Sequence, residues 1–173
     1  MLAQHKIIST IINESYHSPG KVFSSFLELG VCYDSSVCQH LRNVYRVVAV
    51  DMKPNTCLPA NVHFFNVNTD TFFEHNKEKF DAIFIDADHK VEQVVKDLNN
   101  SLNVLNEGGL IFIHDTDPIT KAFTRPGRCN DSWKMVEYLR ACSDIEAITL
   151  PITSEGLTIV TKQDTTRVHR WQR

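Results

Sequence analysis

Acid and imidazole side chains in this sequence gather at a few points, each at the end of an apolar run. The stretch IDADH carries Asp86, Asp88 and His89, and IFIHD carries His114 and Asp115. Carboxylates and imidazoles in such places suit removal of a proton from a nucleophile, since histidine titrates near neutrality. Two further acids follow the same rule: FLELG sets Glu28 just before Gly30, and RVVAVD ends in Asp51, twenty-one residues after that glycine. A glycine at a strand-to-helix turn lets a ligand approach the backbone closely. A carboxylate ending the next strand can accept both hydroxyl protons of a ribose, so the pair marks a nucleoside site. A dinucleotide fingerprint would need three glycines around a pyrophosphate. After Gly30 the turn reads VCYDSS instead, with no further glycine and with Asp34, which would repel phosphate.

The elements that must position these residues alternate between strand-like and helix-like patterns, the rhythm of an α/β domain with a parallel sheet. A helical opening from Leu2 to Ser15 is followed by a break at Ser18 to Gly20, a first strand ending at Gly30, and a helix from about Ser35 to Leu41. Arg46 to Asp51 reads as the second strand, Val62 to Phe65 as the third and Phe80 to Asp86 as the fourth, the last apolar on both faces as buried parallel strands are. Val91, Val94, Val95, Leu98, Leu102 and Leu105 recur at helical spacing before Gly108 and Gly109 stop the helix, and Leu110 to His114 forms the fifth strand. Residues 115–131 lack periodicity and hold Lys121, Arg125 and Arg128, which suits an active-site loop that could clamp an anion. A helix from Ser132 to about Ala141 carries Trp133, a residue for the pocket floor or the core. The runs Ile145 to Leu150 and Leu157 to Thr161 are joined only by PITSEG, too short for a crossover helix, so they must be antiparallel.

ELG at the first strand end, AVD at the second, and FDAIFIDADHKVEQVVKDLNNSLNVLNEGGLIFIHDTDP together resemble the class I S-adenosylmethionine-dependent methyltransferases. The long segment is most similar to the small methyltransferases with an IDGDHxYE and PGGxIxxHD pattern, and more distantly to catechol-type O-methyltransferases. The resemblance spans roughly Phe23 to Lys162. It implies a Rossmann-like fold, with a central, mostly parallel seven-stranded sheet, an antiparallel last strand and helices on both faces. It also implies S-adenosyl-L-methionine as cofactor, with Glu28, Gly30 and Ser36 on the methionine portion and Asp51 on the ribose. Met52 would lie against the adenine, Asn68, Thr69 or Asp70 along its edge, and Asp86 beside the sulfonium.

By the same resemblance the activity is methyl transfer to a small-molecule acceptor, at a hydroxyl oxygen. His89 falls where the catechol-type relatives carry a catalytic lysine, which makes it the candidate base; capping the helix start is its other reading. Asp86 and Asp115 match two ligands of the Mg2+ or other divalent cation those relatives hold, and Thr116 stands at the third. His114 reads as a packed, hydrogen-bonded residue. Asp34 stands where many relatives have glycine, which implies a wider turn. A binding module without transfer, a nucleic-acid or protein methyltransferase and a nicotinamide oxidoreductase are the alternatives. The amino-methylating [DN]PP[YFW] motif is absent, which counts against nucleic-acid targets.

The bulk properties agree with one methyltransferase domain over 1–173, with a helical cap at 1–20, the loop at 115–131 and a basic tail at 163–173. A net charge of −3 gives no electrostatic reason to expect nucleic acid as a partner. Five cysteines without a CxxC pair argue against a disulfide framework or a zinc knuckle. The opening segment lacks the apolar run of a secretory signal and no stretch suits a bilayer, so the expectation is a cytoplasmic protein without a membrane partner. The short cap before the first strand leaves room for a homodimer in which a second copy helps enclose the substrate.

Overall fold

The computed structural model describes residues 4–17, 20–31, 36–54 and 57–163. The start of the expected first helix at Leu2, the Ser18 break, Asp34 and nearly all of the basic tail lie outside these residues. Seven strands form one sheet: β1 (Ser25–Leu29), β2 (Arg46–Val50), β3 (Val62–Phe65), β4 (Phe80–Ile85), β5 (Leu105–His114), β6 (Ile145–Leu150) and β7 (Leu157–Lys162). Their order is β3-β2-β1-β4-β5-β7-β6. The first five pair in parallel, and β7 runs antiparallel to both β5 and β6. The sheet is therefore the mostly parallel, seven-stranded one expected, with its last strand reversed.

Side-chain alternation along the strands divides the core in two. On one face Leu27, Leu29, Val48, Val50, Ile83, Ile85, Ile111 and Ile113 join Phe72, Val94, Leu98, Met135 and Leu139. These last five belong to α2 (Thr69–His75), α3 (Val91–Val104) and α4 (Met135–Ala141). On the other face Phe26, Val47, Ala49, Phe84 and Phe112 meet Ile8 and Ile12 of α1 (Gln4–Glu14). All six residues of β4 are buried, Asp81 at its second position among them, and from Ala82 to Ile85 the strand is apolar on both faces. No helix of the described residues is long and apolar enough to cross a membrane.

Three local expectations change. The helix proposed from Ser35 to Leu41 is, within the described residues, a single 3-10 turn at Cys38–His40, with Leu41 extended. Asn13 explains the stop, because its side-chain amide donates to the His40 carbonyl and its Oδ1 accepts from the Arg42 amide, taking up groups that a longer helix would pair internally. Strand β5 begins at Leu105, five residues earlier than expected, because a register shift opposite Phe80 to Ala82 accommodates Gly108 at φ 68° without ending the pairing. Helix α2 is an addition; Asn68 caps it by accepting from the Thr71 amide at 2.7 Å.

Candidate functional site

The C-terminal ends of β1, β2, β3 and β4 are tied together by backbone hydrogen bonds: Gly30 donates to Val50, Asp51 to Phe65 and Asp86 to Leu29. Gly30 sits at φ 84°, and a Cβ there would lie 2.1 Å from the Asp86 carbonyl oxygen. The glycine is thus required by close passage of the β4 end, a tertiary contact that the turn pattern alone did not reveal. Asp51 reinforces the same junction, its Oδ2 accepting from the Val31 amide at 2.8 Å and its Oδ1 from the Lys53 amide at 2.7 Å.

Above this edge lies a cavity of about 570 Å³. Of the residues the sequence nominated for a cofactor, Gly30, Asp51, Met52, Asn68, Thr69 and Asp70 line it, together with His89. Arg128 joins from the long loop, with Pro126, Gly127 and Asn130. Glu28, Ser36 and Asp86 do not line it. Glu28 is buried, and its two oxygens accept from the Val37 and Cys38 amides, each at 2.8 Å, so it holds the segment after the turn in place. Burial pushes its carboxyl up to about 7 against those two hydrogen bonds. The Ser36 hydroxyl is buried beside the Cys38 thiol.

At the neighbouring ends of β4 and β5, Asp86, His89, His114 and Asp115 form one cluster. His114 Nδ1 lies 3.0 Å from Asp86 Oδ1 and 3.2 Å from Asp115 Oδ1. His89 bridges the same acids, with Nδ1 at 2.9 Å from Asp115 Oδ2 and Nε2 at 3.5 Å from Asp86 Oδ1. His89 Nδ1 also meets the Arg128 carbonyl, which fastens the 115–131 loop over the cluster. Asp115 leaves β5 at φ 62°, its Oδ1 accepts from the Cys129 thiol and its carbonyl from the Ser132 hydroxyl. The sequence did not single out Cys129 for this contact.

Charge sharing sets the protonation of the cluster. The hydrogen bonds to Asp115 and Asp86 raise His89 to about 11, so in this arrangement the imidazole holds its proton at neutral pH. Burial pulls His114 down, but the charge of Asp86 and its hydrogen bond outweigh that and bring it to about 9. Burial likewise opposes the ionised form of Asp86, and His114 with His89 still holds it below its ordinary value.

Asp86, His114 and Asp115 each offer a donor atom within 4.8 Å of the other two, a spacing that fits a divalent cation. Thr116, nominated as a third ligand, is buried with no hydrogen-bond partner for Oγ1 among the described residues, so its hydroxyl is uncommitted. The fit draws in His114, which the sequence reading had placed only as a packed side chain. Gln93 was missed as well. It lines the cavity from the first turn of α3, and as one polar residue on an amphipathic helix it carried no sequence signal.

Residues 27–116 match the family described as "Methyltransferase domain". No curated protein matches the chain. Among solved structures, the fold is similar to an O-methyltransferase from Bacillus cereus in complex with S-adenosylhomocysteine, at 16% identity and a TM-score of 0.66, covering 92% of this chain and 80% of that one. It is also similar to an O-methyltransferase from Streptomyces achromogenes involved in tomaymycin synthesis, in complex with S-adenosylmethionine, at 14% identity and a TM-score of 0.70, covering 93% and 80%. A Podospora anserina methyltransferase bound to S-adenosylhomocysteine matches at 17% identity and a TM-score of 0.70, covering 95% and 80%.

Proposed function

The chain belongs to the methyltransferase domain family, and from that premise we propose that it transfers a methyl group from S-adenosyl-L-methionine to a hydroxyl oxygen of a small-molecule acceptor. The observation that carries this reading is the junction of two features at one sheet edge. A cavity lined by Gly30, Asp51, Met52 and residues 68–70 lies beside the acid and imidazole cluster of Asp86, His89, His114 and Asp115. Ligands of open α/β sheets bind outside the carboxyl ends of the strands, where both features sit.

Methyl transfer from a sulfonium is an in-line displacement: the C–S bond breaks with its electron pair going to sulfur, a C–O bond forms, and the acceptor's hydroxyl proton must leave. The protein therefore contributes mainly alignment and proton removal. Asp51 and the Gly30 turn would hold the nucleoside end, and residues 68–70 would border the base. Asp86 holds His114 and His89 beside the cavity in which the sulfonium would lie. An acceptor hydroxyl that displaces Asp115 from His89 removes the largest cause of its raised affinity for protons, so that the imidazolium releases its proton to solvent and the neutral ring then takes the acceptor's proton. A divalent cation held by Asp86, His114 and Asp115, with Thr116 beside them, would orient and acidify a hydroxyl, and the imidazole nitrogen in that set suits manganese or zinc better than magnesium. Arg128, in the loop above, lines the cavity with its guanidinium 4.0 Å from Glu155 and over the Phe123 ring, and would meet a negatively charged acceptor by giving up that long pairing.

Calorimetric titration with S-adenosylhomocysteine, with and without magnesium or manganese, tests the reading without knowledge of the acceptor. Micromolar binding is expected, followed by methylation of members of a panel of hydroxylated small molecules. A folded protein that binds no S-adenosylhomocysteine would overturn it.

A further inference from the structure

Several acceptors on the wall of the cavity that borders residues 68–70 already have a donor. Asn68 Oδ1 accepts from the Thr71 amide, Asp70 Oδ2 from the Lys96 ammonium at 2.6 Å, and Asp88 Oδ1 from the Lys90 amide at 3.1 Å. Asp70 Oδ1 accepts from Gln93 Nε2 at 3.1 Å. That same Nε2 lies 3.0 Å from Asp97 Oδ1 and 3.2 Å from Thr69 Oγ1. Asp97 is fully buried.

Three acceptors around one atom fix which way the amide faces. A carboxamide turned over would set its oxygen against two carboxylate oxygens, so the nitrogen must point to Asp70 and Asp97, whose oxygens use both of its protons. The carbonyl Oε1 is then the polar group that Gln93 has left. No described residue donates to it, and the side chain lines the cavity.

We propose that Gln93 Oε1 accepts the exocyclic amine of the purine base, so that helix α3, through the buried Asp97, sets the preference for adenine. This rests on the nucleoside cofactor proposed above and moves the reading of the base edge from Asp70, each of whose oxygens already accepts from a side chain of α3, to Gln93, whose carbonyl has no donor among the described residues. A base that carries a carbonyl in place of the amine would put oxygen against oxygen, and Gln93 could not turn its amide to suit without breaking two contacts to carboxylates. The effect is discrimination by an unmatched buried polar pair, which exceeds the value of an ordinary hydrogen bond.

The test is calorimetric binding of S-adenosylhomocysteine and S-inosylhomocysteine to the full chain. Wild type should prefer the adenosyl compound by about 10- to 100-fold. Gln93→Ala should bring the two affinities to within about threefold of each other, chiefly by weakening the adenosyl compound. Because removing the amide also strips Asp70 and Asp97 of a donor, Gln93→Lys serves as the second variant; its ammonium can still donate to both acids but offers no acceptor, and it should lose the preference in the same way. If wild type binds the adenosyl compound without preference, or if either folded variant keeps the preference, the role of Gln93 falls while the cofactor reading stands. If wild type binds neither compound, both fall together.

Discussion

Asp81 and Asp86 stand at opposite ends of the same strand, five residues apart, and their surroundings differ in kind. Asp81 is buried at the entry to β4, where its Oδ2 accepts from the amides and hydroxyls of Ser24 and Ser25, and its Oδ1 from Asn106 and the Lys21 ammonium at 2.9 Å. Burial alone would push its carboxyl up, yet Lys21, Asn106 and Ser24 hold it well below the usual carboxylate range. Asp86, at the exit, shares two imidazoles with the carboxylate of Asp115, and neither His114 Nε2 nor the Oγ1 of Thr116, the next residue after Asp115, has a partner among the described residues. One end of the sheet satisfies its charges with fixed donors and gains stability. The other holds titratable groups and uncommitted atoms together, an arrangement retained at functional sites at the expense of stability.

The contrast can be broken most forcefully at Asp81. Asp81→Ala should lower unfolding free energy by about 2–3 kcal/mol in chemical denaturation, since the ammonium of Lys21 and several part-buried donors lose their partner at once. A loss under about 1 kcal/mol would show that the entry end is no more structural than the exit. Asp86→Asn, by contrast, should reduce methyl transfer by about 10²- to 10⁴-fold while moving stability by no more than about 1 kcal/mol. Equal losses in stability for the two variants would erase the distinction drawn here.

Asp51→Ala sharpens it on the cofactor side. Affinity for S-adenosylhomocysteine should fall by about 1.5–3 kcal/mol through lost charged hydrogen bonds, and unchanged affinity would remove Asp51 from the ribose. The smallest effect concerns pH. Glu28, raised to about 7, contributes stability that is complete below its ordinary value of 4.5 and is lost as pH rises through about 7. Asp81, held low, contributes stability that is present above its ordinary value and lost as pH falls below it. Stability measured from pH 3 to 9 should therefore decline at both ends. Glu28→Gln should flatten the part of the decline that lies between about pH 4.5 and 7, leaving the part above it to His114 and His89, and Asp81→Asn should flatten the acid limb.

Much of this was legible in the residues themselves. The apolar run at Phe80 to Asp86, the period of three and four in α3 and the short PITSEG link each report a local constraint, so the sheet and its reversed last strand could be read directly. Gly30, Asp51, Met52, residues 68–70 and His89 converge on one cavity because strand ends of a parallel sheet share an edge. The extent of the turn at Cys38–His40 was not legible, because Asn13, more than twenty residues away, decides it. The partners of His114 were likewise out of reach of any local pattern.

By itself the sequence determined which residues stand at the ends of strands, because hydrophobic period and glycine or proline breaks are properties of neighbours in the chain. The tertiary structure decided which of those residues are occupied and which remain available. Asp81 is matched by Ser24 and Ser25 from β1 and its approach, Glu28 by the amides that follow its turn, and the amide of Gln93 by Asp70 from α2. A hydrogen bond is complete or missing only once distant segments have met, and a carboxylate's role is set by its donors rather than by its place in the chain.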